Sequence, residues 1–438
     1  MRGRTVTALL GVLTTATALL PAMLGPASAS AAAPIDTTRT GPAIRPVDSV
    51  RYDLGDRAFH PAAELDYDGD NELNGVVYFP TDLGRGTHPL VMIEHGQWHT
   101  CADARAQARM DAAKAALPAA EQAGNTAEVD RLWEIIAAAG SELSRWPCTA
   151  GTPQLPSYLG YEYLGRRLAS LGFVVVSIGT NGINATSFGQ GATVYQTRAA
   201  LLNRQLAMWQ RLAATGGGPL RGRFVDSRTH RPRNVDFRGH VDLTRVGTVG
   251  HSMGGGGVMQ HVADGHQQWP AGVTVKAVFT LAPAGTFDPV EVTTVPFAVM
   301  WGTCDAVNTG GYVESTAGRN RAPIYKYTLA GGNHDFYNTQ WSPDSGQVGG
   351  VDDATPGTRR GYCKAQFPPD RDGAAPAQPD QKALTESQQR QVTEAYAAAF
   401  FLRHLSGQRQ YDPLLQGAVT SPGLPAVVGV RYAPPLAR

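Results

Sequence analysis

Short apolar runs alternate with longer stretches of helical periodicity along most of the chain. Runs that are mostly apolar or β-branched predict buried strands at 89–94, 173–178, 244–249, 275–281, 296–301 and 324–329. Apolar positions at spacings of three and four predict helices at 158–171, 193–214 and 384–405. We expect the last of these helices to pack at the far edge of a sheet. Strands alternating with helices predict the α/β class, with a mostly parallel sheet covered by helices on both faces.

Two further strands are predicted ahead of this pattern, at 49–54 and 73–79, joined by an acidic turn at 66–71. The turn resembles the start of a calcium-binding loop. However, Asn71 stands at the sixth position, where such a loop has glycine, and Val77 at the twelfth, where it has a carboxylate. We therefore interpret it as a solvated turn and expect no metal there.

The first of three insertions in this pattern spans residues 99–155. Alanine-rich stretches at 102–117 and 126–146 have helical spacing, and Cys101 and Cys148 bracket them. They predict a helical hairpin that acts as a cap over the carboxyl end of a strand. The alternative is an insertion that has no part in the functional site.

The other two insertions are a Gly/Arg-rich loop at 215–240 and a Pro/Gly/Asp-rich segment at 335–383. The arginines of the loop indicate a solvated surface rather than a binding patch. The chain has no internal repeat and no composition shift that marks a boundary. We therefore expect residues 32–438 to form a single domain with three insertions.

The N-terminal residues have the pattern of a secretory signal. Arg2 and Arg4 supply positive charge, residues 8–24 are mostly apolar, and small residues at 27–31 offer cleavage sites. An anchor that stays in the membrane is the alternative, but the apolar run is short for a bilayer. We predict that a signal peptide, residues 1–31, is removed, and that the mature protein is secreted, extracellular and not inserted in a membrane.

Composition and charge narrow the possible partners. Of the 438 residues, 42% are hydrophobic, which is enough to bury a large core. The formal net charge is +1, so no basic excess indicates nucleic-acid binding. We expect a monomer that binds no nucleic acid.

The four cysteines are Cys101, Cys148, Cys304 and Cys363. An even number in an oxidising compartment predicts two disulfide bonds, for which three pairings are possible. We favour Cys101–Cys148 and Cys304–Cys363, because each bond would close a segment that otherwise looks loosely held. No two cysteines have the spacing of metal ligands, so we expect no metal site.

The clearest chemical motif is Gly-x-Ser-x-Gly, formed by Gly250, Ser252 and Gly254. It follows a predicted strand and precedes residues 258–263, which can continue as a helix. Strand, sharp turn and helix together form a nucleophile elbow, which exposes the serine hydroxyl at the carboxyl end of a strand. A buried structural turn is the alternative, since a chain with 50 glycines produces such patterns by chance.

A serine nucleophile needs a base, and the base needs an orienting acid. In the chain order Ser, acid, His of α/β-hydrolases, Asp305 is the candidate acid, because it lies directly beyond a predicted strand. Asp288 is the second candidate, and an aspartate that caps the following helix is the alternative reading of Asp305. His334 lies in a Gly-rich loop after the last predicted strand and is the candidate base. His404 also follows the acid, but it lies in a predicted helix.

Two backbone N–H groups are candidates for binding an oxyanion. Met253 follows the nucleophile at the start of a helix, where N–H groups are unpaired. The step His95-Gly96 ends the predicted strand 89–94, and esterases place a second donor after such a step. This position predicts the N–H of Gln97 as the second donor. An ordinary strand-to-loop glycine is the alternative.

At these residues the chain resembles a known family. Residues 250–257, Gly-His-Ser-Met-Gly-Gly-Gly-Gly, resemble the elbow of secreted bacterial cutinases and related polyester hydrolases, and residues 163–175 are similar to a helix and strand of that family. His95-Gly96 resembles the early-strand step of dienelactone-hydrolase-like and platelet-activating-factor-acetylhydrolase-like enzymes. The resemblance implies an α/β-hydrolase fold that needs no cofactor. The site residues that it implies are the nucleophile Ser252, the acid Asp305, the base His334, and N–H donors from Met253 and the residue after Gly96.

The chain also departs from the polyester hydrolases. They have an aromatic residue that stacks on substrate where Ala284 follows Pro283 here. Compact cutinases also lack the insertions 99–155 and 335–383. A smaller or differently shaped ester therefore fits this site at least as well as a polyester.

Together these features predict a secreted serine hydrolase that cleaves carboxylic esters through an acyl-enzyme, in the manner of esterases, lipases and cutinases. Its substrate would be a small-molecule, lipid or polyester ester. A secreted acyltransferase or peptidase on the same fold is the alternative, because acceptor specificity depends on the cap. A non-catalytic binding protein is a third hypothesis, although no member of the predicted triad is missing.

Overall fold

A ten-stranded sheet organises the described part of the chain. The computed structural model describes residues 44–187, 191–285, 290–308, 316–351, 361–365, 379–420, 423–424 and 428–436. The predicted signal peptide and Asp288 lie outside these residues. The strands of the sheet are β1 Val47–Asp53, β2 Asn74–Pro80, β3 His88–Glu94, β4 Val174–Ile178, β5 Val225–Asp226, β6 Val241–His251, β7 Val275–Leu281, β8 Phe297–Gly302, β9 Ile324–Leu329 and, numbered after a separate hairpin, β12 Val428–Ala433.

The central strands of this sheet are parallel. Its order is β5-β1-β2-β4-β3-β6-β7-β8-β9-β12. The pairs from β4 through β3, β6, β7 and β8 to β9 are parallel, whereas β5, β1, β2 and β12 join by antiparallel pairing. The α/β class with a mostly parallel sheet is therefore confirmed. The carboxyl ends of β3, β6, β8 and β9 meet at one edge, which we call the carboxyl edge.

Helices cover both faces of the sheet. They are α1 Ala104–Gln122, α2 Thr126–Leu143, α3 Glu162–Ser170, α4 Asn181–Thr186, α5 Thr193–Thr215, α6 Met253–Val262, α7 Glu386–Ser406 and α8 Asp412–Leu415. Side chains of α5 and α6 pack with one face of the strands, and those of α3 and α7 with the other. Because both faces are covered, β3 and β4 are buried along their whole length, which explains their continuous apolar runs.

The position of α7 differs from the prediction. It was expected at the far edge of the sheet, and this is wrong, because α7 lies on a face. Phe401 packs on Gly247 of β6, and the ring of Phe400 lies 5.5 Å from that of Phe279 in β7. The far edge is instead formed by β12, which pairs antiparallel with β9. No strand was predicted there, because exposed and half-buried positions alternate along β12 and leave no apolar run.

The first insertion forms the predicted helical hairpin of α1 and α2. The first helix continues past its predicted end and includes Pro118. The two helices pack on each other through small apolar clusters, one of which also contacts Val348. The base of the hairpin is joined to the body by the indole Nε1 of Trp146, which donates to the carbonyl of Asp56 at 2.9 Å.

The other two insertions also carry strands that were not predicted. Within 215–240, β5 pairs with β1, and Arg233 forms ion pairs with Asp48 and Asp226. Within 335–383, β10 Tyr362–Lys364 and β11 Asp380–Lys382 form a separate antiparallel hairpin. Disulfide bonds join Cys101 to Cys148 and Cys304 to Cys363, which is the sequential pairing. In the part of the chain that the structure describes, no helix is long and apolar enough to cross a membrane.

Candidate active site

Ser252 lies in a sharp turn between β6 and α6. Its backbone angles are φ 54° and ψ −122°, a region that residues with a side chain rarely adopt. Its N–H donates to the carbonyl of Leu281 at 2.9 Å, and its carbonyl accepts from Ala284 at 2.9 Å. Hydrogen bonds to the end of β7 and to the chain just after it therefore hold the strained turn. The turn has the geometry expected of a nucleophile elbow.

Close backbone packing explains the glycines of the elbow. A Cβ on Gly254 would lie 2.4 Å from the carbonyl oxygen of Glu94, at the end of β3. A Cβ on Gly250 would lie 2.2 Å from the carbonyl oxygen of Gly254. Both distances are shorter than any side chain can accommodate, so only glycine allows α6 to start this close to the sheet.

The candidate acid and base meet at the same edge of the sheet. Asp305 follows β8, and His334 follows β9, so the parallel register brings their loops together. The Nδ1–H of His334 donates to Oδ2 of Asp305 over 3.1 Å, and both side chains are buried. A carboxylate in this position fixes the tautomer of the ring, with the proton on Nδ1 and the lone pair on Nε2.

Asp305 also holds its own loop. Its Oδ1 accepts from the backbone N–H groups of Val307 at 2.7 Å and Asn308 at 2.8 Å. The side chain of Asn308 in turn donates to the carbonyl of Ala282 at 2.8 Å. Oδ1 of Asp305 therefore caps its own loop, as the alternative interpretation expects, whereas Oδ2 contacts His334.

The remaining acid and base candidates lie elsewhere or were not described. His404 lies in α7, where its Nε2 is 3.2 Å from the hydroxyl of Tyr325, and burial lowers its pKa to about 3. Asp288 is outside the described residues. Of the residues predicted for the acid and base, the structure joins Asp305 and His334.

His251, which the sequence analysis did not select, links the elbow to the base loop. Its Nε2–H donates to the backbone carbonyl of His334 over 3.0 Å, and its Nδ1 accepts from the hydroxyl of Tyr161 over 3.0 Å. The rings of His251 and His334 are 5.0 Å apart. Burial lowers the pKa of His251 far below its ordinary value, so the ring stays neutral and keeps this pattern of donors. The sequence feature that could have identified His251 is its position next to Ser252.

The two turns that carry the predicted oxyanion donors pack directly on each other. A Cβ on Gly96 would lie 2.5 Å from the Cβ of Ser252 and 3.2 Å from the backbone nitrogen of Met253, so the turn after β3 packs directly on the elbow. Within the described residues, the backbone N–H groups of Gln97 and Met253 donate to no protein acceptor. The position of both groups beside Ser252 is compatible with oxyanion binding.

A buried ion pair lies behind this turn. Arg198 of α5 and Glu94 of β3 are 3.2 Å apart, and both side chains are fully buried. Burial raises the pKa of Glu94 to about 7, although the Arg198 cation opposes that rise. Sequence analysis missed this pair. Its signal was an arginine on the apolar face of a helix, four residues after Val194 and three before Leu201.

Aromatic side chains flank the site. Trp98, next to Gln97, stacks on Trp341 with the rings 4.8 Å apart, and Trp341 also lies 4.7 Å from the ring of His251. The segment after His334 therefore packs against the elbow. The described contacts of the α1–α2 hairpin lie at its base and near Val348, and none reaches Ser252. A role of the hairpin as a cap stays a prediction.

The Cys304–Cys363 bond joins the acid loop to the segment after the base. The Cys304 N–H donates to the carbonyl of Gly332 at 2.8 Å, which links the acid loop to the base loop. The hydroxyl of Thr303 accepts from Gly331 at 2.9 Å and donates to the side chain of Gln381 in β11. The loops that carry Asp305 and His334 are thus tied to each other by backbone and side-chain hydrogen bonds, and the disulfide bond ties the acid loop to β10.

Among the residues that the structure describes, the site shows no cluster of metal ligands. In the described ranges, no three His, Cys, Asp or Glu side chains gather where they could hold a metal ion. The chemistry that the arrangement supports on its own residues is nucleophilic, with a serine, a histidine and a carboxylate at three strand ends.

Comparison with known proteins gives a match to a protein family. Residues 154–326 match a family model described as PETase, PET hydrolase-like. The match covers about two fifths of the chain, includes Ser252 and Asp305, and ends before His334. No curated protein sequence matches the chain. The resemblance to α/β-hydrolases of the polyester-hydrolase kind is thereby confirmed, and the sheet described above has the α/β-hydrolase fold.

Proposed function

We propose that the protein is a secreted serine hydrolase that cleaves carboxylic esters through a triad of Ser252, His334 and Asp305. The match to a PET hydrolase-like family model supports ester hydrolysis as the general activity. The two disulfide bonds fit an extracellular protein. The observation that carries the proposal is the contact of His334 Nδ1 with Asp305 Oδ2. The carbonyl of His334 also accepts from His251, the residue before a serine in elbow geometry.

The reaction would begin with attack of the Ser252 hydroxyl oxygen on the acyl carbon. His334 Nε2 takes the hydroxyl proton, and Asp305 stabilises the resulting imidazolium. The N–H groups of Met253 and Gln97 bind the negative oxygen of the tetrahedral intermediate, and each such donor typically contributes about 3 kcal/mol. When the C–O bond breaks, His334 returns the proton to the leaving alcohol. Water then repeats the sequence on the acyl-enzyme and releases the acid.

The substrate class follows from the family and from the surroundings of the site. The description of the matched family makes a polyester one candidate, and small-molecule and lipid esters are the others. Ala284 lies where the polyester hydrolases have an aromatic residue, and the half-buried Trp98 provides an aromatic surface beside the proposed oxyanion donor instead. We therefore propose that esters with a flat or aromatic part are bound against Trp98.

The proposal is tested by a panel of p-nitrophenyl esters and polyester films with the wild type and Ser252→Ala. We expect Ser252→Ala to lower kcat by more than about 10⁴-fold, since loss of the nucleophile removes the covalent route. Ser170→Ala is the matched control, because Ser170 is also buried but its hydroxyl only donates to the carbonyl of Arg167 at the end of α3. Activity of a folded Ser252→Ala at the wild-type level would contradict the proposal.

Adding competing acceptors to the same assay separates the related activities. Alcohols, sugars and peptides are supplied with the ester, and products are identified by mass spectrometry. Free acid as the main product supports a hydrolase, whereas transfer to an added alcohol or sugar would identify an acyltransferase. Cleavage of peptides in preference to esters would identify a peptidase on the same fold.

A further inference from the structure

Two fully buried polar side chains, Asn184 and Arg198, lie behind the turn that carries Gln97, and the proposed triad uses neither. Both have 0% relative exposed area. Burying an amide and a cation costs free energy unless both are well paired. Their partners therefore indicate which part of the chain they hold in place.

Their partners lie in the turn itself. Asn184 Nδ2 donates to the backbone carbonyl of Gly96 at 2.9 Å. Arg198 Nη2 donates to Asn184 Oδ1 at 2.6 Å, which fixes the amide with its donor end toward Gly96. Arg198 Nη1 also donates to the carbonyl of His95 at 2.9 Å and to Glu94 Oε1 at 3.2 Å.

His95 supplies a second donor to the same carbonyl. The N–H of Thr180 donates to His95 Nε2 at 3.0 Å, so the ring proton is on Nδ1. His95 Nδ1–H then donates to the Gly96 carbonyl at 2.9 Å. Burial and the Arg198 cation lower the pKa of His95 to about 3, which keeps the ring neutral. The Gly96 oxygen is thus held by two buried donors.

Holding this oxygen also orients the next N–H group. The carbonyl of Gly96 and the N–H of Gln97 belong to one planar trans peptide and point in opposite directions. Because the oxygen is directed to Asn184 and His95, the Gln97 N–H points away from them. Gly96 itself packs on Ser252 so closely that a Cβ would lie 2.5 Å from the serine Cβ.

We propose that Asn184, oriented by Arg198, is a positioning residue that fixes the peptide between Gly96 and Gln97 for oxyanion binding. The inference rests on the proposed function, because it gives a purpose to the Gln97 N–H. Oxyanion donors act by being fixed before charge develops, so a peptide free to rotate would lose much of its effect.

Asn184→Asp is the sharpest test of this role. It keeps the size of the side chain and an acceptor for Arg198, but it replaces the donor to Gly96 by an oxygen. The matched control is Asn320→Asp. Asn320 is equally buried, and its Nδ2 donates to the carbonyls of Ala322 at 2.9 Å and Ala433 at 3.2 Å, beside β9 and β12.

The measurement compares kcat and KM for a p-nitrophenyl ester with the Ki of a trifluoromethyl ketone. The ketone forms a tetrahedral adduct with the serine, and its oxyanion needs the donors, whereas KM depends on them less. In Asn184→Asp we expect kcat to fall and Ki to rise by about 10- to 100-fold, with KM within about threefold of the wild type. Asn320→Asp should lower the melting temperature and leave the ratio of Ki to KM unchanged.

A purely structural role for Asn184 would lower stability without changing that ratio. A folded Asn184→Asp with the wild-type ratio of Ki to KM would therefore overturn the inference alone. A wild type that forms no adduct at Ser252 would overturn the proposed function, and the inference with it.

If Asn184→Asp does not fold, Gln97→Ala provides a second test of the inference. The half-buried side chain of Gln97 donates to the carbonyl of Asn184 at 2.9 Å and accepts from the hydroxyl of Ser187 at 2.7 Å. Its removal leaves the backbone donor but loosens the turn, so Ki should rise by about 3- to 10-fold. An unchanged Ki in this variant would contradict the positioning of the turn by its contacts with Asn184 and Ser187.

Discussion

The carboxyl edge of the sheet and the α1–α2 hairpin are stabilised in different ways. At the edge, Asp305, His251 and the Gly96 peptide are buried, and each has two or more polar contacts that set its orientation. The hairpin is held by small apolar clusters and by the Cys101–Cys148 bond, and Trp133 on its surface is 52% exposed.

The difference indicates where precise geometry is needed. A group with a fixed orientation needs buried polar partners, and the chain places such partners behind the proposed nucleophile and oxyanion donors. The hairpin instead resembles a separate unit attached at one end. We therefore expect changes at the edge to alter the rate of the chemical step, and changes in the hairpin to alter stability or substrate access.

The largest effect is expected for Asp305→Asn. The new side chain can keep the contacts of Oδ1 with Val307 and Asn308, but it cannot hold His334 in the required tautomer, so kcat should fall by about 10⁴-fold. The control is Asp264→Asn, because Asp264 also accepts from a loop backbone, that of Thr293, at 3.3 Å. The readout is kcat for ester hydrolysis, measured for variants whose melting temperatures match that of the wild type.

If kcat falls by less than tenfold in Asp305→Asn, another carboxylate must act as the acid. The competitor is Asp288, so the same substitution there would show whether it is the group that acts.

A smaller effect is expected when the Cys304–Cys363 bond is removed by Cys304→Ser with Cys363→Ser. The bond closes 59 residues and adjoins Asp305, so its loss should lower the free energy of unfolding by about 2–4 kcal/mol. The half-life of activity on heating should shorten with it, and kcat at 25 °C should fall by a few fold. A variant as heat-resistant as the wild type would contradict a role of this bond in holding the acid loop.

The smallest effect on activity is expected for Cys101→Ser with Cys148→Ser. This bond closes 47 residues around the hairpin, so its loss should increase amide hydrogen exchange in α1 and α2. With a small p-nitrophenyl ester, kcat/KM should stay within about twofold of the wild type. A loss of activity as large as that of the other disulfide variant would show that the hairpin contributes to the site and would support its predicted role as a cap.

The sequence predicted the parts of the molecule that depend on local pattern. The apolar runs of β7 and β9 were placed at their observed bounds, and the elbow and its glycines followed from a motif with a steric cause. The edge strand β12 and the face on which α7 packs depend on contacts between distant parts of the chain. Arg198 and Asn184 were missed for the same reason, since their partners lie about 90 to 100 residues away.

Labelling with a fluorophosphonate, followed by mass mapping of the adduct, tests the central claim most directly. We predict one adduct, on Ser252, with labelling lost in Ser252→Ala and slowed by several orders of magnitude in His334→Ala, because the base activates the hydroxyl. An adduct on another residue, or equal labelling of the wild type and Ser252→Ala, would contradict the account.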